Sequence, residues 1–365
     1  MRPNSVMTYD HYHNKNRREI YMEKIRSGIV VLAALLFVAF VFPAGVMAQQ
    51  KVIELTYGTP YNVDHTFSKT DKKWFAKIEK ETNGRVKFKP FWGGAIIGGG
   101  GGAIDEIAKG VADVGFISPG QAKTGFYLAK ASFVFFTGAT VKNGRKIFSD
   151  VRKKFPEFDN EYLSKGLKPV CYSSGTDYQL LSKKPVRRLS DFKGLRAKTL
   201  GEIVDVLREL GMEGMASPMP EVYMNMQKGV LDAAFTTTET LQAFRFVEVA
   251  KYMTLMNLYR PHMSGRVMNL NTFNKLPPDI QKIIENNIEW YGEEADNDVI
   301  KGDIAGKDYG AKNGMEYIKL PKEDMDKFYS LVAKDAAKEA QKLDAKGIPA
   351  TKIYTEIQRI IKETK

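Results

Sequence analysis

Residues 189–254 alternate extended and helical signals in quick succession, and this alternation points to a layered α/β sheet more firmly than any other feature of the chain. LSDFKG, at 189–194, is a turn that feeds a strand over 195–199. A helix follows, with Leu200, Ile203, Val204, Leu207 and Leu210 on one face at 3.6-residue spacing. Gly211 stops it. A short strand leads to a second helix over 221–228, stopped by Gly229. Residues 230–236 then read as a buried strand with a polar end, and a further helix follows. In an open α/β sheet, ligands sit outside the carboxyl ends of strands. Lys198-Thr199 and Thr236-Thr237-Thr238 therefore stand where a small anion could be held.

The same alternation extends upstream. Ile53, Leu55 and Tyr57 alternate with polar residues, as in a half-buried strand. A helix over about 68–82 turns Trp74, Phe75 and Ile78 inward and ends at Asn83-Gly84, both tolerant of a left-handed backbone. Strands follow over 85–91 and 111–118, with a helix through Ile104 and Ile107 between them. The glycine run 98–102 before that helix formally fits a dinucleotide fingerprint, but any polyglycine does. No Lys-Ser/Thr follows it, which excludes a phosphate loop. A flexible loop or a close backbone approach explains the run better. Residues 142–166 read as amphipathic helix, 167–173 and 178–181 as strands, and 267–270 as another strand. Pro277-Pro278-Asp279 opens a long helix whose signals continue to about 309. Two more helices occupy the tail, around 325–343 and 353–361.

The chain has 365 residues and carries a net charge of +12. The excess is spread along the chain and never gathers into an arginine-rich arm, so it reads as a mild bias toward anionic ligands and not as a nucleic-acid footprint. One cysteine, Cys171, allows neither an internal disulfide nor a cysteine-built zinc site. Lys24 and Arg26 precede an uncharged apolar run over 29–42, and small residues follow up to Ala48-Gln49. This is the pattern of a secretory signal peptide over 1–48, cleaved after Ala48, with Met22 an alternative start. An uncleaved anchor is the competing reading, although the run falls short of the ~20 residues a membrane span prefers. Beyond residue 48 only His65 and His262 remain as histidines, so a metal site or a histidine-based triad is poorly supplied. No cofactor is expected.

Several motifs, in order, resemble the extracytoplasmic solute-binding proteins of TRAP transporters, the DctP-like family. They are Glu79-Lys80-Glu81-Thr82-Asn83-Gly84-Arg85-Val86, Gly110-Val111-Ala112-Asp113-Val114-Gly115, the 189–195 turn, and Met219-Pro220-Glu221-Val222-Tyr223 running on to Gln227-Lys228-Gly229-Val230-Leu231-Asp232. Glu248-Val249-Ala250-Lys251-Tyr252 and Asn274-Lys275-Leu276-Pro277 also fit. The resemblance covers about residues 52–360. It implies an α/β, two-lobe periplasmic-binding-protein-like fold with a long helix spanning both lobes. Lobe I would comprise 49–175 plus 262–301, and lobe II 176–261 plus 302–365. It further implies a periplasmic monomer that captures a small organic acid anion between closing lobes and hands it to TRAP permease subunits in the membrane. An exported enzyme, or a binding protein serving another importer or a sensor, are the alternatives.

The family usually carries an arginine in the pattern K-G-x-x-x-R, which forks onto the solute carboxylate. Here Lys193-Gly194-Leu195-Arg196-Ala197-Lys198 places Lys198 at that position, with Arg196 two residues earlier on the same strand face. Tyr178 stands about where some members have a second arginine. Three readings stay open. Lys198 holds the carboxylate as a point charge, assisted by Tyr178 and Thr236; Arg196 swings in; or the solute is not a simple carboxylate. Position adds Pro60 and Ser118 at strand ends, Gly201 at a helix start, and Trp92, Phe116, Met219 and Phe235 as apolar walls. Core packing is the better account of Phe116 and Phe235. Glu239 is a polar wall or a helix-start acid, and His65 an exposed loop histidine.

Overall fold

The computed structural model describes residues 51–364 apart from Ala216, Pro218 and His262, together with the backbone but not the side chains of Pro220 and Ser264. The signal peptide expected over 1–48 lies outside the described residues, as does His262.

Eleven described strands form two sheets. The first has the order β2-β1-β3-β10-β4 and comprises β1 (Ile53–Gly58), β2 (Val86–Phe91), β3 (Val114–Phe116), β4 (Leu167–Ser173) and β10 (Met263–Asn269). β1 runs parallel to β2 and β3, while β10 lies antiparallel between β3 and β4. The second has the order β11-β9-β5-β8-β6-β7 and comprises β5 (Tyr178–Ser182), β6 (Arg196–Lys198), β7 (Glu213–Met215), β8 (Ala233–Thr236), β9 (Tyr252–Leu258) and β11 (Glu316–Ile318). The chain passes from the first sheet to the second after Ser173 and returns after Leu258. The two-lobe α/β class expected from the sequence is the one observed.

Local chemistry explains most elements. Leu55 and Tyr57 are buried in β1, as their alternation requires. The Thr66–Glu81 helix buries Trp74, Phe75 and Ile78. Past its end, Asn83 and Gly84 both take positive φ, at 52° and 75°. Close backbone approach accounts for part of the glycine run, because a Cβ on Gly101 would stand 2.5 Å from the Gln121 carbonyl oxygen.

Three expectations need correction, and three elements were not expected. The 142–166 pattern is two helices, Val141–Lys154 and Glu157–Leu163, because Pro156 lacks an N–H and drives Phe155 to an extended φ/ψ of −126°/94°. The helix expected over 200–210 is a 3₁₀ turn, Gly201–Ile203, followed by six α-helical residues, Val204–Glu209. The long helix from Pro278 breaks at Asn287, whose side-chain amide donates to the Ile283 carbonyl at 2.8 Å and so competes with the backbone ladder. An unanticipated helix, Tyr127–Phe135, is buried almost all round. It shows no amphipathic period, and Glu161 caps it by accepting from the Leu128 and Ala129 amides at 2.6 and 3.1 Å. Strands β9 and β11 also escaped the sequence pattern.

The Ile288–Lys312 helix ties the two sheets together. Gly292 lets it approach Tyr172 in β4, where a Cβ would meet the Tyr172 carbonyl at 2.2 Å. Three turns on, Asp303 holds the second lobe, accepting from the Thr238 amide at 3.2 Å. A Cβ on Gly306 would stand 2.3 Å from the Thr238 carbonyl and 2.5 Å from the Glu239 Cα. The C-terminal helices Lys322–Asp344 and Ala350–Glu363 share one core with Tyr127–Phe135 and Val141–Lys154, although the expected division assigns the two pairs to different lobes.

The crowding at Gly306 reverses the ordinary sign of a helical Gly→Ala change. Gly306→Ala should lower the unfolding free energy by about 1–3 kcal/mol through overpacking. Gly302→Ala, whose Cβ would meet nothing nearer than 3.8 Å, should be neutral or stabilising by up to about 1 kcal/mol. Urea denaturation of the two variants compares them directly.

Candidate functional site

The carboxyl ends of β3 and β6 face one another across a cavity of about 710 Å³. From the first sheet come Phe116, Ile117 and Ser118 and the 3₁₀ turn Pro119–Gln121. From the second come Tyr178, Lys198, Thr199, Leu200, Gly201 and Glu202. Phe67, Phe133 and Met263 add apolar surface, the end of β4 contributes Ser173, and the inter-sheet connections contribute Ser174 and Arg260. Arg266, in β10, lies at the floor.

The two arginines are in different electrostatic situations. Arg266 is 2% exposed, and its Nε donates to Asp71 Oδ1 at 3.1 Å, with Asp71 itself 1% exposed. Asp71 also accepts from the hydroxyls of Tyr57 and Tyr291. Burial, then the adjacent carboxylate, pushes both phenols well above their usual pKa, so they stay neutral donors. Phe67 and Phe116 pack their faces on the Arg266 guanidinium, 4.8 and 5.3 Å from the ring centroids.

Arg260, on the connection between β9 and β10, makes no ion pair and no side-chain hydrogen bond among the described residues. Tyr178 beside it, opposed by burial, sets its pKa above the ordinary arginine value, so it is a cation at every physiological pH. The space it occupies depends on Gly175, where a Cβ would stand 2.2 Å from Arg260 Cδ. Lys198 lies half-buried at the end of β6, donating only a long 3.4 Å contact to the Phe235 carbonyl. Burial lowers its pKa, with Glu202 acting the other way.

The structure brings together only part of the expected set. Lys198, Tyr178, Ser118, Gly201 and Phe116 line the cavity. Gly201 opens a three-residue 3₁₀ turn and has no long helix behind it. Thr236 is fully buried, and its hydroxyl pairs with that of Thr240 at 2.8 Å, away from the cavity. Thr238 is tied to Asp303 of the long helix. Pro60 packs against the glycine loop, where a Cβ on Gly99 would meet its ring at 2.9 Å. Trp92 packs on Tyr57 and Phe75, Met219 on the core beneath β8, and Phe235 is fully buried. Glu239 lies beside the long helix and outside the cavity lining. Its carboxyl oxygen Oε2 is buried with no hydrogen-bond partner among the described residues, and burial raises its pKa, opposed first by a hydrogen bond from Thr237. Arg196 forks onto Asp232, with both N···O distances 2.9 Å, and so is not available to swing inward. His65 is exposed, and its Nδ1 accepts from the Phe67 amide as the cap of the Thr66–Glu81 helix.

Sequence reasoning missed Arg260, Arg266, Glu202, Phe67 and Phe133. The available signal was weak: Tyr259-Arg260-Pro261 places an arginine next to a proline where the chain leaves β9.

A polar cleft between two sheets joined by crossing connections and one continuous helix is the arrangement of a two-lobe solute receptor. The chain matches the model of bacterial extracellular solute-binding protein family 7 over residues 58–342, and it belongs to that family, the DctP-like receptors of TRAP transporters. A TRAP periplasmic solute-binding protein from Bordetella bronchiseptica, solved with (R)- and (S)-mandelate, is 22% identical with a TM-score of 0.72, covering 86% of this chain and 100% of that one. A TRAP solute-binding protein from Rhodoferax ferrireducens, in complex with copurified benzoate, is 20% identical with a TM-score of 0.72, covering 86% and 98%. An uncharacterized protein of Salmonella typhimurium is 26% identical over 215 residues, which span 57% of this chain and 64% of that protein.

Because Gly175 makes room for Arg260, Gly175→Ala should displace the guanidinium while leaving the fold intact. A crystal structure of the variant should show Arg260 in another rotamer, and solute affinity should fall with it.

Proposed function

We propose that this protein captures a small organic carboxylate in the cleft and delivers it to a TRAP-type membrane permease. The observation that carries the reading is Arg260, an arginine in the cleft with no ion-pair partner among the described residues. Its planar fork matches a carboxylate. Lys198 supplies a second positive charge from the β6 end, so the contact expected of the family arginine is shared between a lysine at the expected position and an arginine on the connecting segment. Phe67, Phe116, Phe133 and Met263 supply apolar walls for the solute's carbon skeleton. The mandelate and benzoate bound by the two structural relatives are aromatic carboxylates of the size and character this lining would accept.

Arg260 lies on the connection between the sheets, while Ser118 and Lys198 approach from opposite sides. A solute anchored on Arg260 would gain further contacts as the lobes close, and that difference in contacts drives closure. Export precedes capture in this reading, with the mature chain starting at Gln49. N-terminal sequencing of the protein from the periplasm should return that residue.

A thermal-shift screen of monocarboxylates, dicarboxylates, keto acids, aromatic acids, sugar acids and neutral polyols should select carboxylates, because ligand bound only to the folded state raises the melting temperature. Calorimetry with the best hit should then show Arg260→Ala losing about 2–5 kcal/mol of binding and Lys198→Ala at least about 1.4 kcal/mol, a tenfold loss. Arg260→Lys should recover only part, since charge without the fork is a different contact. Unchanged affinity in Arg260→Ala would remove the basis for this reading.

A further inference from the structure

Glu202 is unexplained by a simple carboxylate trap. It lies in the 3₁₀ turn directly after Lys198 and lines the same cavity as Arg260 and Lys198. Its carboxylate takes no hydrogen bond or ion pair from any other described residue. It faces the first-sheet side of the cleft, where a Cβ on Gly120 would stand 3.6 Å from Glu202 Oε1. Gly120 and Gly201 are shared, like Glu202, with a side cavity of about 320 Å³. That side cavity adds Asp205, Asp335 and Glu339 against Lys130 and Lys342. Acids therefore gather toward Glu202 and the side cavity, while Arg260 and Lys198 are the cations of the main cavity and Glu239 lies within electrostatic reach of Arg260.

We propose that Glu202 is a specificity-determining residue, selecting a carboxylate solute whose second functional group donates hydrogen bonds, as a hydroxyl or ammonium does, and rejecting dicarboxylates. This inference rests on the carboxylate reading of the cleft and names the solute class within it. An ionised acid accepts hydrogen bonds and offers none, so a hydroxyl or ammonium satisfies Glu202. A second solute carboxylate would meet it as a desolvated like charge. Burial raises the Glu202 pKa, opposed by its own backbone amide and then by Lys198, Arg260 and Lys130. Discrimination should accordingly weaken at acidic pH, where a protonated Glu202 tolerates a second carboxylate.

The test is calorimetric binding of matched acids on propionate, valerate and benzoate skeletons, each unsubstituted or bearing a terminal hydroxyl, amino or carboxyl group. For the skeleton that binds best, the wild-type protein should prefer the hydroxy or amino acid over the diacid by at least about tenfold. Glu202→Gln, which removes no hydrogen bond or ion pair to another described residue, should fold normally and bring that preference below about threefold, chiefly by tightening the diacid. Monocarboxylates binding with no such preference, or a preference that survives Glu202→Gln, overturns the role of Glu202 and leaves the carboxylate site standing. Binding by no member of any series overturns the carboxylate reading itself, and this inference with it.

Discussion

The buried pair between Asp71 and Arg266 is the contact on which the architecture of this receptor turns. It joins four elements: Tyr57 of β1, Asp71 of the Thr66–Glu81 helix, Arg266 of β10, and Tyr291 of the long helix. Withdrawing two charges from water costs several kcal/mol per ion, and the interior repays it only when the geometry is good and further hydrogen bonds satisfy the ions. Here two phenols complete the shell of Asp71, and aromatic faces cover Arg266. Loss of either charge would strand the other, at a cost of about 3–5 kcal/mol. The network thus holds the cleft floor to the long helix and neutralises the arginine closest to the core.

That neutralisation divides the cleft's charges by role. Arg266 is occupied by Asp71, and Arg196 is occupied by Asp232. Arg260 and Lys198 are left to face the cavity, with Glu202 as the counterweight. In the proposed mechanism the anion is held where the lobes join, so the moving walls need supply only packing and hydrogen bonds. The long helix suits this design. Its glycines at 292 and 306 bring it into backbone contact with material from each sheet, and Asp296 accepts from the Ser174 amide on one connection at 2.7 Å.

Much of the fold was legible because it depends on short-range signals. Alternation in β1, the helix-ending Asn83-Gly84 and the buried face of the first helix all follow from neighbouring residues. Where tertiary surroundings dominate, the pattern failed. The Tyr127–Phe135 helix is buried on nearly every side, so it shows no polar face to set a period. Strand ends were a partial guide to the cleft. Those of β3 and β6 line it, whereas those of β1 and β8 are covered by the glycine loop and by Thr240.

From its order of motifs and elements, the sequence by itself determined the family, the α/β class and the presence of a lysine where relatives carry an arginine. Only the tertiary structure decided which cations the cleft retains. A salt bridge is a three-dimensional fact, and nothing in the spacing of Arg196 and Asp232, or of Asp71 and Arg266, reveals that each pair meets. Arg260 is recognisable as a ligand-facing charge by elimination alone, once every other arginine in or beside the cleft is seen to have an acid of its own.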